Sequence, residues 1–348
     1  MFSKKLAVFA VLLMVASIAL AACGPTPEPQ VVEKIVTQQV EVTKIVEKEG
    51  EQVTIIETQV VEVEVPVEVE VEVTAEPEAA PVQDTLVVCM SQEPDTLYLV
   101  TSNMAVQRDV YNAYMDMGSA SDTAYWFYTD LLEKLPTLED GDVELIGEEG
   151  PEGQLAITYK VKEGINWHDG EPLTAEDFVY AWEVRMDPES GVTSRSTIEK
   201  VESMEVVDDQ TFIVTLKVGI MDPMYGPYYV FEPLPKHVLG EMTPAEIIDS
   251  EYSRTGYPGV GPFVFEEWVA GDSITFTKNE DYWRDGPNFE KVVYRFIPDT
   301  NALMAALISG ECDVATSDGL QVTNLPFLQQ AKSKGLVDYH AQAGTVWE

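Results

Sequence analysis

Residues 24 to 83 cannot build a core, and this restriction decides where any fold must lie. Pro25, Pro27 and Pro29 stand at one end of the stretch and Pro77 and Pro81 at the other. Between them an apolar pair recurs every ten residues (Ile35-Val36, Ile45-Val46, Ile55-Ile56), and Val and Glu then alternate from Val61 to Val73, broken only by Pro66. Alternation at period two suits an extended strand and not a helix. Regularly spaced glutamates repel one another and keep the backbone stretched, so residues 23–83 read as a tether. A spacer without recognition role and a strand that pairs with its own kind are both compatible with the pattern. The globular part is expected from residue 84 onward.

Upstream, Lys4 and Lys5 precede an apolar run from Leu6 to Ala22 that ends in small residues before Cys23, the layout of an export signal over residues 1–22. Leu20-Ala21-Ala22-Cys23-Gly24 has the pattern at which bacterial lipoproteins are lipidated on the cysteine and cleaved. Cys23 is therefore expected to carry the lipid and to become the mature N-terminus. An uncleaved anchor helix is the competing reading, weakened because the run is barely as long as the ~20 apolar residues that cross a bilayer. Either reading puts the remainder outside the cytoplasm. Two or more acyl chains hold a protein stably at a membrane, so no further anchor is required.

The 348-residue chain has a net charge of −40; residues 31–76 contribute −9 and residues 1–30 contribute +1, leaving −32 on residues 77–348, nearly all of it on the globular part. Such a field repels phosphate backbones and excludes nucleic acid as a partner. With Cys23 set aside, two cysteines remain. Cys89 lies in an apolar strand and Cys312 in Gly310-Glu311-Cys312-Asp313-Val314. They are expected on neighbouring strands of one parallel sheet, either bridged or as two buried thiols.

From residue 84 the pattern is mixed α/β. Asp84 to Met90 is a continuous apolar run and reads as a buried strand. A strand at Ala156 to Val161 precedes a helix capped by Thr174, with acids in its first turn and Phe178, Ala181 and Trp182 on one face. Two hairpins follow, Val201 to Val207 with Thr211 to Val218, and Phe263 to Trp268 with Ser273 to Lys278. After a strand at Val292 to Ile297, Asp299 or Thr300 caps a helix over Asn301 to Ile308 that stops at Gly310, and a strand at Asp313 to Ala315 completes a parallel strand, helix, strand unit.

His168-Asp169-Gly170 reads as a tight turn into the capped helix. A catalytic His-Asp pair is the rival. It is disfavoured because the chain has only His168, His237 and His340 and lacks the nucleophile and zinc-helix motifs that would accompany them. Clustered metal ligands are lacking as well. Trp126, Tyr128, Tyr225, Tyr228 and Tyr229 fall in loop-like segments where aromatics could floor a cleft, with ordinary packing as the default.

The run from Tyr159 through Ile165-Asn166-Trp167-His168-Asp169-Gly170-Glu171-Pro172-Leu173-Thr174-Ala175-Glu176-Asp177-Phe178 closely resembles the signature segment of family 5 extracellular solute-binding proteins, the oligopeptide, dipeptide and nickel receptors of ABC importers. Ser91 to Leu97, Leu234 to Leu239, Gly259-Val260-Gly261-Pro262-Phe263, Asp281-Tyr282-Trp283 and Ile308 to Val314 agree in the same order. The resemblance implies a mixed α/β, periplasmic-binding-protein-like type II fold of two lobes that trap a small peptide or similar solute. It also implies ABC permease and ATPase subunits as partners, and no cofactor, metal or catalytic residue. On that reading residues 84–315 form the first lobe and 316–348 begin a second, largely missing from this chain, where the acid that holds a peptide's amino terminus would lie. Gly259, Gly261 and Pro262 are expected to bend the chain back to the first lobe, and Asp281-Tyr282-Trp283 to pack as a buried aromatic corner. Ser102, Asn103 and Met104 fall where the family's first lobe touches ligand. A surface sensory or adhesive domain is the alternative function, and an extracellular hydrolase a more remote one.

Overall fold

A computed structural model describes residues 36–48, 51–63, 84–121, 126–147 and 150–340. The signal region, Cys23 and most of the Val61 to Val73 alternation lie outside the described residues. The chain divides after Pro81 into two units.

In the first unit, β1 (Val36–Lys48) and β2 (Glu51–Val63) pair antiparallel over their whole length, from Val36 opposite Val63 to Lys48 opposite Glu51. These strands cover the part of the tether up to the first residues of the alternation, and there the segment folds back on itself instead of running out as a single stretched strand. Pairing satisfies backbone donors and acceptors that a lone strand leaves to water.

The second unit begins with β3 (Thr85–Met90), which lies between two parallel neighbours, β12 (Lys291–Phe296) and β13 (Val314–Ala315). A strand flanked on both sides has no free edge, and Val88, Cys89 and Met90 in its second half are buried, which fits its unbroken apolar run. β10 (Phe263–Val269) and β11 (Ser273–Lys278) extend this sheet antiparallel, giving the order β10-β11-β12-β3-β13. Between β12 and β13 runs α3 (Thr300–Ser309), preceded in the chain by α1 (Ala105–Tyr114) and α2 (Ala175–Met186). At the start of α3 the Asp299 carboxylate accepts the Ala302 N–H at 2.8 Å, and Gly310 ends the helix with φ +79°.

Cys89 and Cys312 form a disulfide, with their Cα atoms 5.8 Å apart. Cys312 sits two residues ahead of β13, so the bridge joins β3 to the turn that delivers its neighbour. The packing continues past Ala315: the Asp318 carboxylate accepts both the N–H and the hydroxyl of Ser91, at 2.7 and 2.6 Å. The expected division at 315/316 therefore falls inside a stretch bound to β3. The last described helix is α4 (Leu325–Ser333).

A second, antiparallel sheet has the order β6-β7-β9-β8, with β6 Val143–Ile146, β7 Gln154–Lys160, β8 Val201–Asp208 and β9 Thr211–Leu216. Leu155, Ile157 and Tyr159 of β7 and Phe212, Val214 and Leu216 of β9 are buried at alternating positions, which makes one inner face. α2 lies on that face: Phe178 stacks on Phe212 at 5.3 Å, and Phe212 on Tyr159 at 5.1 Å. The Asp177 carboxylate accepts the Thr174 N–H at 2.9 Å and the Lys236 N–H at 3.0 Å, fixing both the start of α2 and the segment after it.

The expected turn at His168 is a rivet between distant segments. Gly170 has φ +94°, the left-handed conformation that glycine adopts freely. His168 Nδ1 accepts the Gly259 N–H at 3.1 Å, while its Nε2 lies 3.0 Å from the Gly261 carbonyl and donates to it. A Cβ at Gly261 would stand 2.4 Å from the Tyr114 carbonyl carbon, so this bend passes directly against the end of α1 and has room for no side chain. Burial lowers the His168 pKa from 6.5 to about 4. With the folded pKa below the unfolded one, protonation favours unfolding, and the contribution is complete above pH 6.5 and lost as pH falls toward 4. Between about pH 6 and pH 4.5 this group alone should remove about 2 kcal/mol of stability. Half-buried Asp109, raised to about 6 mainly by desolvation, acts with the opposite sign. The measurement is therefore the difference between urea unfolding of the parent and of His168→Asn, whose gap should narrow by that amount on acidification.

A candidate solute cleft

α1 buries Val106, Gln107, Val110, Tyr111 and Tyr114 against the core and leaves Arg108 and Asn112, one turn apart, on its exposed side. Tyr114 anchors the end of the helix: its ring stacks on Phe276 at 5.7 Å and its hydroxyl donates to the Leu97 carbonyl. Beyond it Met115, Asp116 and Met117 leave the helix. Gly118 lets the backbone approach Val230, because a Cβ there would stand 2.9 Å from the Val230 side chain.

Asp116 is 5 % exposed and is the hub of the site. Its carboxylate accepts from Tyr282 Oη at 2.9 Å, Trp283 Nε1 at 2.8 Å and Arg284 Nη2 at 2.6 Å. Burial pushes its carboxyl above the usual range, and the Arg284 charge and the two neutral donors pull it back. Arg284 also pairs with Asp130 at 2.9 Å and lies over the Trp283 ring at 4.8 Å. The Asp281-Tyr282-Trp283 segment is thus a half-buried clamp on one carboxylate and not the buried aromatic corner expected from the sequence, because its polar edges are occupied by Asp116 while Arg284 and Lys162 cover the Trp283 face.

Across from α1, the short strand β5 (Phe127–Tyr128) pairs with β4 (Ala120–Ser121), and its Phe127 meets Tyr228 edge to face at 5.8 Å. Glu232 is held by the buried Arg185, at 3.0 Å from its Nη2. These elements enclose a cavity of about 870 Å³, whose walls include Arg108, Asn112, Asp116, Tyr128, Tyr228 and Glu232. Its acids are each ion-paired from behind, Asp116 and Asp130 sharing Arg284 and Glu232 with Arg185, which offsets most of the negative charge of the wall. The lining is more polar than apolar, with Met115, Phe127 and Val230 between the charged and hydroxyl groups, which suits a polar solute.

The three residues expected from sequence to touch ligand do not line this cavity. Ser102 is 4 % exposed and its hydroxyl donates to Asp95 at 2.8 Å; Asn103 is exposed, and Met104 precedes α1 and packs on the core. Of the five loop aromatics, Tyr128 and Tyr228 line the cleft. Trp126 is 73 % exposed, the Tyr225 hydroxyl accepts the Leu138 N–H at 3.2 Å, and Tyr229 is buried with its hydroxyl donating to Asp222 at 2.8 Å. Arg108, Asn112, Asp116 and Glu232 were not singled out from sequence. The four-residue spacing of Arg108 and Asn112 opposite a buried stripe was the one local signal available.

His237 Nε2 lies 2.8 Å from the Asp169 carboxylate, a surface pair with no serine, threonine or cysteine nucleophile bonded to it among the described residues, while His168 is committed to backbone. Among the described residues no group of three or more His, Cys, Asp or Glu side chains gathers as for a metal ion, and no helix is long and apolar enough to cross a membrane.

The family of bacterial extracellular solute-binding proteins, family 5 (middle part), matches residues 148–347. The chain belongs to this family. It is similar to the oligopeptide-binding protein AppA of Bacillus subtilis, 34 % identical over 160 residues that make up 46 % of this chain and 30 % of that protein. The dipeptide-binding protein DppE of Bacillus subtilis is 31 % identical over 181 residues, 45 % of this chain and 31 % of that protein. The structure of Bacillus subtilis AppA in complex with a nonapeptide matches with TM-score 0.56 and 29 % identity, over 66 % of this chain and 44 % of that one. An oligopeptide-binding protein of Thermus thermophilus complexed with a pentapeptide shares the fold, with TM-score 0.60 and 24 % identity over 68 % and 45 % of the two chains. The chain spans about a third of the length of these curated relatives and somewhat under half of the solved ones. The mixed α/β architecture is that of the type II periplasmic-binding-protein-like fold, and the relatives are solute-binding proteins, not enzymes.

Proposed function

We propose that the chain supplies the first lobe of a lipid-anchored receptor that captures peptides and hands them to an ABC importer. The observation that carries this reading is the cleft beside α1, whose acids are each paired with an arginine, in a family of extracytoplasmic solute-binding proteins. A peptide backbone is neutral and polar along its length, and a cleft of paired charges with aromatic edges can hold it without a strong demand for one side chain. Closure of a second lobe over residues 84–315, with 316 onward leading into it, would complete the enclosure and signal the loaded state to permease and ATPase. Cys23 would keep the receptor at the outer face of the cell membrane.

The test has two readouts on the protein made in a bacterial host that lipidates. Isothermal titration of the purified chain with a mixed tri- to pentapeptide library should show only weak, millimolar binding, and the chain continued into a second lobe should bind at micromolar or tighter; no binding by the two-lobed receptor overturns the peptide reading. Cys23→Ser should move the protein from the membrane pellet to the medium or periplasm, and pelleting without incorporation of labelled palmitate would make the leader a plain anchor helix.

A further inference from the structure

The β1–β2 hairpin is a sheet of two strands, and among the described residues no third strand pairs with either edge. In each strand alternate residues direct N–H and C=O groups away from the partner, so both edges carry rows of open backbone donors and acceptors. A lone two-stranded ribbon is at best marginally stable in water, and further strands are what stabilise it. The two edges differ in charge. β1 holds Glu41, Lys44, Glu47 and Lys48 and is neutral, whereas β2 holds Glu51, Glu57 and Glu62 and carries −3. On a chain of net charge −40, whose copies repel one another, the neutral edge is where a second copy can approach closely.

We propose that two copies of the chain pair through their β1 edges, antiparallel about a two-fold axis at Val42, to give a four-stranded sheet of order β2-β1-β1-β2. The order of residues selects that axis. Full-length pairing about Val42 sets Val36 opposite Lys48, Thr37 opposite Glu47, Val40 opposite Lys44 and Glu41 opposite Thr43, with no two like charges opposite. The equivalent pairing of β2 with itself centres on Glu57 and sets two glutamates opposite each other at the axis, which is destabilising. The two-fold register also preserves the pleat: Val36, Val40, Val42 and Val46 occupy positions of one parity, so those of both copies fall on one face. Growth stops at two copies, because the edges left outside are the acidic β2 strands. The open ends of the two hairpins then stand at opposite ends of the sheet, about 45 Å apart. The 12 residues ahead of Val36 reach about 40 Å, so lipids on both Cys23 residues can enter one membrane. Confinement to that surface raises the concentration at which the edges meet. Pairing of this kind does not depend on what the cleft binds.

The test is cysteine cross-linking of the full chain in membranes of a bacterial host that lipidates it. Cys89 and Cys312 are bridged, so a cysteine placed in β1 supplies the reactive thiol, and the parent controls for Cys23. Under mild oxidation Val42→Cys should link to itself, while Val40→Cys and Lys44→Cys should each fail alone and link when co-expressed. Thr43→Glu added to Val42→Cys sets like charges opposite at two rungs and should slow linking about fivefold, and Glu41→Lys on top of it should restore the rate. Within the hairpin these two positions face Thr58 and Ile56, so neither change sets like charges opposite inside one copy. Absence of linking through Val42→Cys, self-linking of Val40→Cys as fast as that of Val42→Cys, or linking only through Glu57→Cys overturns the proposal. A rate that Thr43→Glu leaves unchanged, or that Glu41→Lys does not restore, overturns it as well.

Discussion

Replacing Cys312 by Ser should lower the stability of the globular unit by about 5 kcal/mol, the largest single effect expected in this chain. The bridge closes a loop of 223 residues, and constraining that loop in the unfolded chain accounts for most of the figure. Both cysteines are essentially inaccessible, Cys89 at 0 % and Cys312 at 2 %, and share their pocket with Leu303 and Ala306 of α3. The substitution also places hydroxyl and thiol groups where the native chain has apolar sulfur. The midpoint of thermal unfolding should fall by roughly 10 to 15 °C, and reductant should destabilise the parent by a similar amount while leaving Cys312→Ser unmoved. A reductant-insensitive parent, or a Cys312→Ser variant that melts with it, would show that the bridge contributes nothing.

Asp116→Ala should cost about 3 kcal/mol. Removing one partner of a buried charge cluster strands the others, typically at ~3 to 5 kcal/mol, and the lower end applies because the Arg284 side chain is 41 % exposed and can rehydrate. Tyr282 and Trp283 cannot, being half-buried with their polar atoms aimed at the vacated position. The loss should be strongly coupled: in a double-mutant cycle Arg284→Ala adds far less in the Asp116→Ala background than alone. Additive effects would mean that the clamp does not act as a unit. Because Asp116, Asp130 and Arg284 all line the cleft, solute binding should weaken alongside stability.

What could be foreseen from the sequence was local. Thr174 with Asp177, and Asp299 with Gly310, announced α2 and α3 because helix boundaries are marked by residues at or next to the ends themselves. The two hairpins, β8 with β9 and β10 with β11, were marked by their turn residues, and the family resemblance placed these segments in one fold. α1 carried no such sign: it starts after Met104, which has no side-chain cap, and its stability comes from packing Tyr111 and Tyr114 into the core. The cleft was invisible for a related reason. It is assembled from residues 108–117, 127–130, 227–232 and Arg284, and their meeting depends on Gly259 and Gly261 running against Tyr114, a contact between segments about 145 residues apart. Charge pairing by Arg284 and Arg185 likewise appears only once the sheets have closed. Ser102, Asn103 and Met104 came from the resemblance alone, and Ser102 is occupied with Asp95.

With the lipid proposed on Cys23, the β1–β2 hairpin limits how far residue 84 can stand from it. Val36 stands opposite Val63, so the chain leaves the ladder beside the point where it entered. The intervening 28 residues therefore add almost nothing to the distance between Cys23 and residue 84. Fully drawn out, residues 24–83 could bridge about 200 Å, whereas the paired ladder leaves 12 residues before it and 20 after, and about 110 Å at most. With Cys23 as the proposed lipid attachment, the ladder holds nearly half of the leash as slack. Pulling on the ends loads the Val36–Val63 pair first and peels the strands apart one rung at a time, so a modest force would lengthen the leash in small steps.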